Sequence, residues 1–181
     1  MKFQLQFIVL TMLLLVPQIS GATSAQADLQ RLGQGNAYYL GFIKVYQATL
    51  FGDPTDNAET LLSDDTSKCL HLEYAVDVTK QQFIEVAETV LERQFSAQRL
   101  EQVRKGIEEL HAGYLDVNGG DSYTLCYCSE TGVTTLARND NQALSIDLPG
   151  FAEVYFSIWL GQERPLNDRL RNDLLAGLAD K

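Results

Sequence analysis

The chain has 181 residues, with 14 Lys and Arg against 24 Asp and Glu, and a formal charge of −10. That balance argues against nucleic acid or an anionic membrane as the default partner, since both need positive charge facing phosphate. The length suits one domain, and a chain of this size buries about 68–70% of its surface on folding, enough for a real core. There is no repeat, low-complexity tract or internal linker to divide it.

The N-terminus reads as a secretory leader over residues 1–27. Lys2 gives a positive start, Phe7 to Val16 is an apolar run broken only by Thr11, and Ala25-Gln26-Ala27 fits a cleavage site before Asp28. The run is too short for a membrane span, which takes about 20 residues, and no later segment is apolar enough to be one. The expected mature chain is therefore residues 28–181, exported most simply to a bacterial periplasm. Removing the leader takes away one Lys and no acid, leaving a charge of −11.

Gly33 to Phe51 then reads as an extended first strand pair, dense in aromatic and β-branched residues, with Gly41 marking a bend or bulge. It carries one Lys, and no acid lies between its start and Asp53. After Gly52-Asp53-Pro54 the chain turns polar as far as Ser67. Cys69 to Val76 alternates as a strand, with Leu70, Leu72, Tyr74 and Val76 on one face and Cys69, His71 and Glu73 on the other. The period next becomes helical. Phe83, Val86, Ala87, Val90 and Leu91 form one apolar stripe behind a capping box at Thr79 and Gln82. Leu100, Val103, Ile107, Leu110 and Tyr114 form a second stripe behind an N-cap at Ser96. His111 falls off that stripe and reads as a surface residue near the helix C-terminus.

Asn118-Gly119-Gly120-Asp121 is a strong turn signal. Tyr123, Leu125 and Tyr127 alternate with Thr124, Cys126 and Cys128 as a strand, and two more strands follow over Val133 to Ala137 and Leu144 to Leu148. Phe151 to Leu160 has helical spacing, with Phe151, Val154, Tyr155, Ile158 and Trp159 along one side. A last helix runs from about Asn167 to Leu178. The order predicts an α+β fold in which an antiparallel sheet carries helices on one face, an open-faced sandwich.

Four segments in this order resemble the chalcone isomerase-like family, in its bacterial exported branch. They are Gly33 to Phe51, the Leu70-His71-Leu72-Glu73-Tyr74 strand with its following helix, Asn118 to Leu125, and Phe151 to Gly161 with the terminal helix. The resemblance implies a cleft between sheet and helices. Plant isomerases close a chalcone into a flavanone there, non-catalytic members bind fatty acids, and some mitochondrial relatives are associated with haem. The isomerases' substrate-polarising Arg falls near Asn36 or Ala37 here, and neither can supply a guanidinium's charge and donor fork. A catalytic Thr falls near Tyr46. No catalytic residue is assigned.

By family position, Tyr38, Lys44 and Tyr46 are the candidate ligand-binding residues. The cysteines carry their own alternatives. Export favours disulfides, and Cys69 can meet Cys126 or Cys128 if the two strands are neighbours. Free structural cysteines are a second reading. Zinc on a Cys3His set of Cys69, His71, Cys126 and Cys128 is a third, though the spacing matches no known zinc motif. The expectation is a periplasmic, non-catalytic protein that needs no cofactor and holds an amphipathic small molecule such as a fatty acid. An intramolecular lyase or isomerase and an acidic envelope interaction module are the alternatives.

Overall fold

The structure, a computed structural model, describes residues 29–178; the expected leader lies outside them. Gln30–Tyr39 (β1) and Ile43–Gly52 (β2) form a hairpin, and Lys68–Tyr74 (β3) follows a polar segment holding one short 3-10 turn. Lys80–Gln94 (α1) and Ala97–Gly113 (α2) come next. Ser122–Cys128 (β4), Val133–Arg138 (β5) and Asn141–Asp147 (β6) form a meander, followed by Phe151–Leu160 (α3) and Asp168–Leu175 (α4).

All six strands join one sheet in chain order, and every neighbouring pair is antiparallel. The two helices between β3 and β4 are an excursion that returns to the adjacent strand. Strand alternation sets the faces. Leu50, Leu70, Leu72, Tyr74, Tyr123, Leu125 and Leu136 are buried under the helices. The opposite face carries Gln34, Gln47, His71 and Thr124, joined across strands by hydrogen bonds from Gln34 Nε2 to Gln47 Oε1 (2.8 Å) and between His71 Nδ1 and Thr124 Oγ1 (2.9 Å). An α+β open-faced sandwich is the observed architecture.

The helix starts are those the sequence signals. Thr79 and Gln82 form the capping box of α1, and the Ser96 side chain accepts the Arg99 N–H at the start of α2. Helix α3 differs from its predicted one-sided form: every residue except Glu153 is buried. It lies against α1, α2 and α4, and a helix apolar all round belongs in the interior. Glu153 alone reaches solvent and meets Arg99 at 2.8 Å.

His111 requires a correction. It is not on the surface: it is 7% exposed, stacked on Tyr114 and set edge-on to Tyr155. Glu88 of α1 lies 3.6 Å from Nδ1, and Nε2 has no hydrogen-bond partner. Helical spacing left His111 outside the stripe, but α1 and α3 flank α2 on that side and cover it. Burial lowers its pKa, against the opposing pull of Glu88.

A candidate ligand-binding cavity

A cavity of about 470 Å³ lies between the sheet and the helices at the end of the β1–β2 hairpin. A shift of register between Ala37 and Tyr38 leaves Val45 without a partner on β1. Such a bulge re-aims side chains, and the successive residues Val45 and Tyr46 both line the hollow. Tyr74, Tyr123 and Leu125 form the sheet wall. Phe83, Val86 and Ala87 of α1 face them, and Tyr155, Ile158 and Trp159 of α3 line it further.

The rings pack edge to face. Tyr74 stands 5.6 Å from Tyr46 and 5.4 Å from Phe83 between ring centres, and Tyr114 stands 5.5 Å from Tyr123. That arrangement sets the positive edge of one ring against the negative face of another. The polar content is phenolic. Trp159 Nε1 donates to the Tyr46 hydroxyl at 3.0 Å, so the hydroxyl's own hydrogen remains available. Tyr114 and Tyr155 share a hydrogen bond of 2.9 Å. The Tyr123 hydroxyl accepts from Leu115 N–H and donates to Leu115 C=O, using its capacity. Tyr74 brings a further buried phenol to the cavity wall.

Burial raises the pKa of Tyr46, Tyr74, Tyr114 and Tyr155, desolvation being the largest cause for each. All four stay protonated at neutral pH and serve as donors. Among the described residues no Lys, Arg or His lines the cavity, and the two charged residues that do, Asp77 and Glu85, are exposed. The chemistry on offer is an apolar container with phenol O–H groups and acidic residues at its opening.

Of the predicted ligand-binding residues, Tyr46 lines this cavity, while Tyr38 and Lys44 do not. Those two pair with each other across the hairpin and are exposed. Where the family's Arg would fall, Asn36 sits on the open face of the sheet, accepting a hydrogen bond from Gln47 at 3.5 Å, and Ala37 is buried. The lining residues that sequence reasoning did not assign to a site, chiefly Phe83 and Val86, read as parts of a helical stripe. Val86 belongs to that stripe and is nevertheless 46% exposed, a feature that only the structure shows.

On the opposite sheet face Cys69 and Cys126 face each other across β3 and β4 and form a disulfide. Cys128 is free, its pKa lowered by a hydrogen bond from Thr131. Among the described residues no group of three or more His, Cys, Asp or Glu is placed to hold a metal ion, and no helix is long and apolar enough to cross a membrane.

The sheet order and the helices covering one face, with an open cleft between them, define the class of fold. The family model described as chalcone isomerase-like matches residues 20–176. The chain belongs to the chalcone isomerase-like family. No curated protein matches it. Among solved structures it is similar in fold to a fatty-acid binding protein of Arabidopsis thaliana, with a TM-score of 0.62 and 16% identity over 82% of this chain and 87% of that one.

Proposed function

We propose that this is an exported, periplasmic protein whose cavity binds, and does not convert, an amphipathic small molecule of the fatty-acid type. The carrying observation is an aromatic hollow of about 470 Å³, within the range of small-ligand sites, whose inward polar groups are protonated phenols. General acid–base catalysis works best with a group titrating near the working pH, and burial moves these tyrosines away from it. The Arabidopsis protein of similar fold is named as a fatty-acid binder, which supports the ligand class. The Cys69–Cys126 disulfide supports an oxidising compartment.

With no cation lining the cavity among the described residues, and Asp77 and Glu85 at the opening, a carboxylate gains little by entering charged. The ligand's head group enters neutral, beside the hydroxyls of Tyr46 and Tyr74. Solvent extraction with mass spectrometry, combined with displacement of a fluorescent fatty-acid analogue, is the test. Fatty acid is expected to bind more tightly as pH falls from about 8 toward about 5, the direction in which a desolvated carboxyl gains its proton. The matching fatty alcohol is expected to bind independently of pH. No co-purifying lipid together with no saturable displacement would sink the proposal.

A further inference from the structure

The β1–β2 hairpin ends in an apolar tip. Tyr38, Tyr39, Leu40, Phe42 and Ile43 are 49%, 61%, 69%, 73% and 39% exposed, and they account for five of the seven large hydrophobic side chains found exposed among the described residues. Isolated exposed apolar residues are ordinary, but a contiguous patch marks a site of interaction. Tyr39 and Ile43 also line the cavity, as does the exposed Val86 of α1, so the patch runs into the cavity opening.

The turn itself is built against its own stability. Phe42 N–H donates to Tyr39 C=O at 3.3 Å, and the two central residues, Leu40 and Gly41, have φ of 52° and 80°. Positive φ at both positions belongs to the type I′ turn, which favours Asn-Gly or Asp-Gly. A bulky residue in the left-handed region is strained, and Leu40, at 69% exposed, gains little burial to offset it. Charge points the same way. No Asp or Glu occurs from residue 29 to residue 52, although the chain as a whole carries −10, and the two charged residues there are Arg31 and Lys44.

We infer that the hairpin tip inserts into the surface of a zwitterionic lipid bilayer and holds the cavity opening against it, so that an apolar ligand passes between bilayer and cavity without crossing water. Tyr and Phe side chains suit the headgroup region, where an amphipathic ring meets both phases. A second copy of the chain is a poor occupant, because a stable protein interface takes about 20–30 residues from each side and the tip with Val86 supplies six exposed apolar side chains. The overall negative charge, with Asp77 and Glu85 at the opening, selects against an anionic lipid surface. Docking is separable from ligand binding, since neither Leu40 nor Phe42 lines the cavity.

Flotation of the purified protein with phosphatidylcholine vesicles tests it, alongside vesicles half phosphatidylglycerol. Wild type is expected to float with the first and less with the second. Phe42→Asp is expected to lower partition at least about tenfold, the scale of one lost aromatic burial. It should leave displacement of a monomeric fluorescent probe unchanged in the absence of vesicles. Leu40→Asn separates function from folding: it should weaken flotation while raising the thermal midpoint, because Asn-Gly suits the turn. Wild type that does not float, or both variants floating like wild type, overturns the inference whether or not the cavity binds ligand. So does a concentration-dependent dimer abolished by Phe42→Asp without vesicle binding, which would give the patch to a second copy.

Discussion

Tyr46 has two roles that one substitution separates. Its oxygen accepts the Trp159 indole N–H, and its hydrogen is free to point into the cavity. Tyr46→Phe keeps the ring and its contact with Tyr74 but leaves a buried indole N–H unpaired, at a cost of about 1–3 kcal/mol. It also removes one donor for a ligand head group. A fall in unfolding free energy of that size, with weaker binding of both fatty acid and fatty alcohol, is expected from denaturant titration and probe displacement. Unchanged binding of both would show that the hydroxyl serves only the indole. The family resemblance drew attention to Tyr46, and that residue lines the cavity. Lys44 was put forward by family position too, and alternation could not place it relative to the cavity, because the bulge that turns Val45 and Tyr46 inward together breaks the period of two. His111 was misread for a related reason: a helical wheel describes one helix and cannot show that two others close over its side.

At the scale of elements, Gly33 shows how a sequence signal can hide its physical cause: it lies inside β1, which begins at Gln30. The extended reading began at Gly33, and the role of that glycine is to let α4 lie directly on β1. A Cβ on Gly33 would stand 2.3 Å from the backbone oxygens of Asp173 and Leu174, whereas one on Gly35 would meet side-chain atoms of Asp173 and Leu170 at 2.8 Å. Backbone cannot yield as side chains can, so Gly33→Ala must displace the helix. It is expected to cost about 1–3 kcal/mol, typical of overpacking, and to speed hydrogen exchange in residues 168–175. Gly35→Ala should cost less. Equal effects, or a larger one at Gly35, would contradict this docking. Strand alternation and capping residues made most elements readable, because those signals are local. The closeness of β1 to a helix some 140 residues later has no local signature. The Cys69 pairing was readable as far as a choice between two partners, and the register of β3 against β4 selects Cys126.

For the molecule as a whole, buried ionisable groups shape stability against pH. Lys68 is fully buried on β3, donating to the carbonyls of Ser63 and Thr66 at 2.8 and 3.0 Å, with its ammonium 4.7 Å from the centre of the Tyr127 ring. Desolvation lowers its pKa from 10.5 to about 8, although Asp64, Asp56 and Glu153 pull the other way. The unfolded chain therefore binds the more protons between those values, and stability must rise with pH across them. The lowered Cys128 thiol acts in the same direction. The lowered His111 costs stability as pH falls below its unfolded value of 6.5. The buried tyrosines oppose further gain: their folded pKa values lie above 10.0, so stability is lost as pH climbs past it. Maximum stability is expected at about pH 9–10, above the common range of about 5 to 8. Denaturant unfolding at intervals from neutral pH upward measures this, and Lys68→Met assigns it. That variant loses the two carbonyl contacts, but its stability should change much less between neutral pH and the maximum, leaving only the Cys128 contribution. A wild-type stability that is flat or falls between pH 8 and pH 10 would mean that the ammonium of Lys68 is solvated in the folded protein, and that the loop from Ser63 to Thr66 is not closed over it.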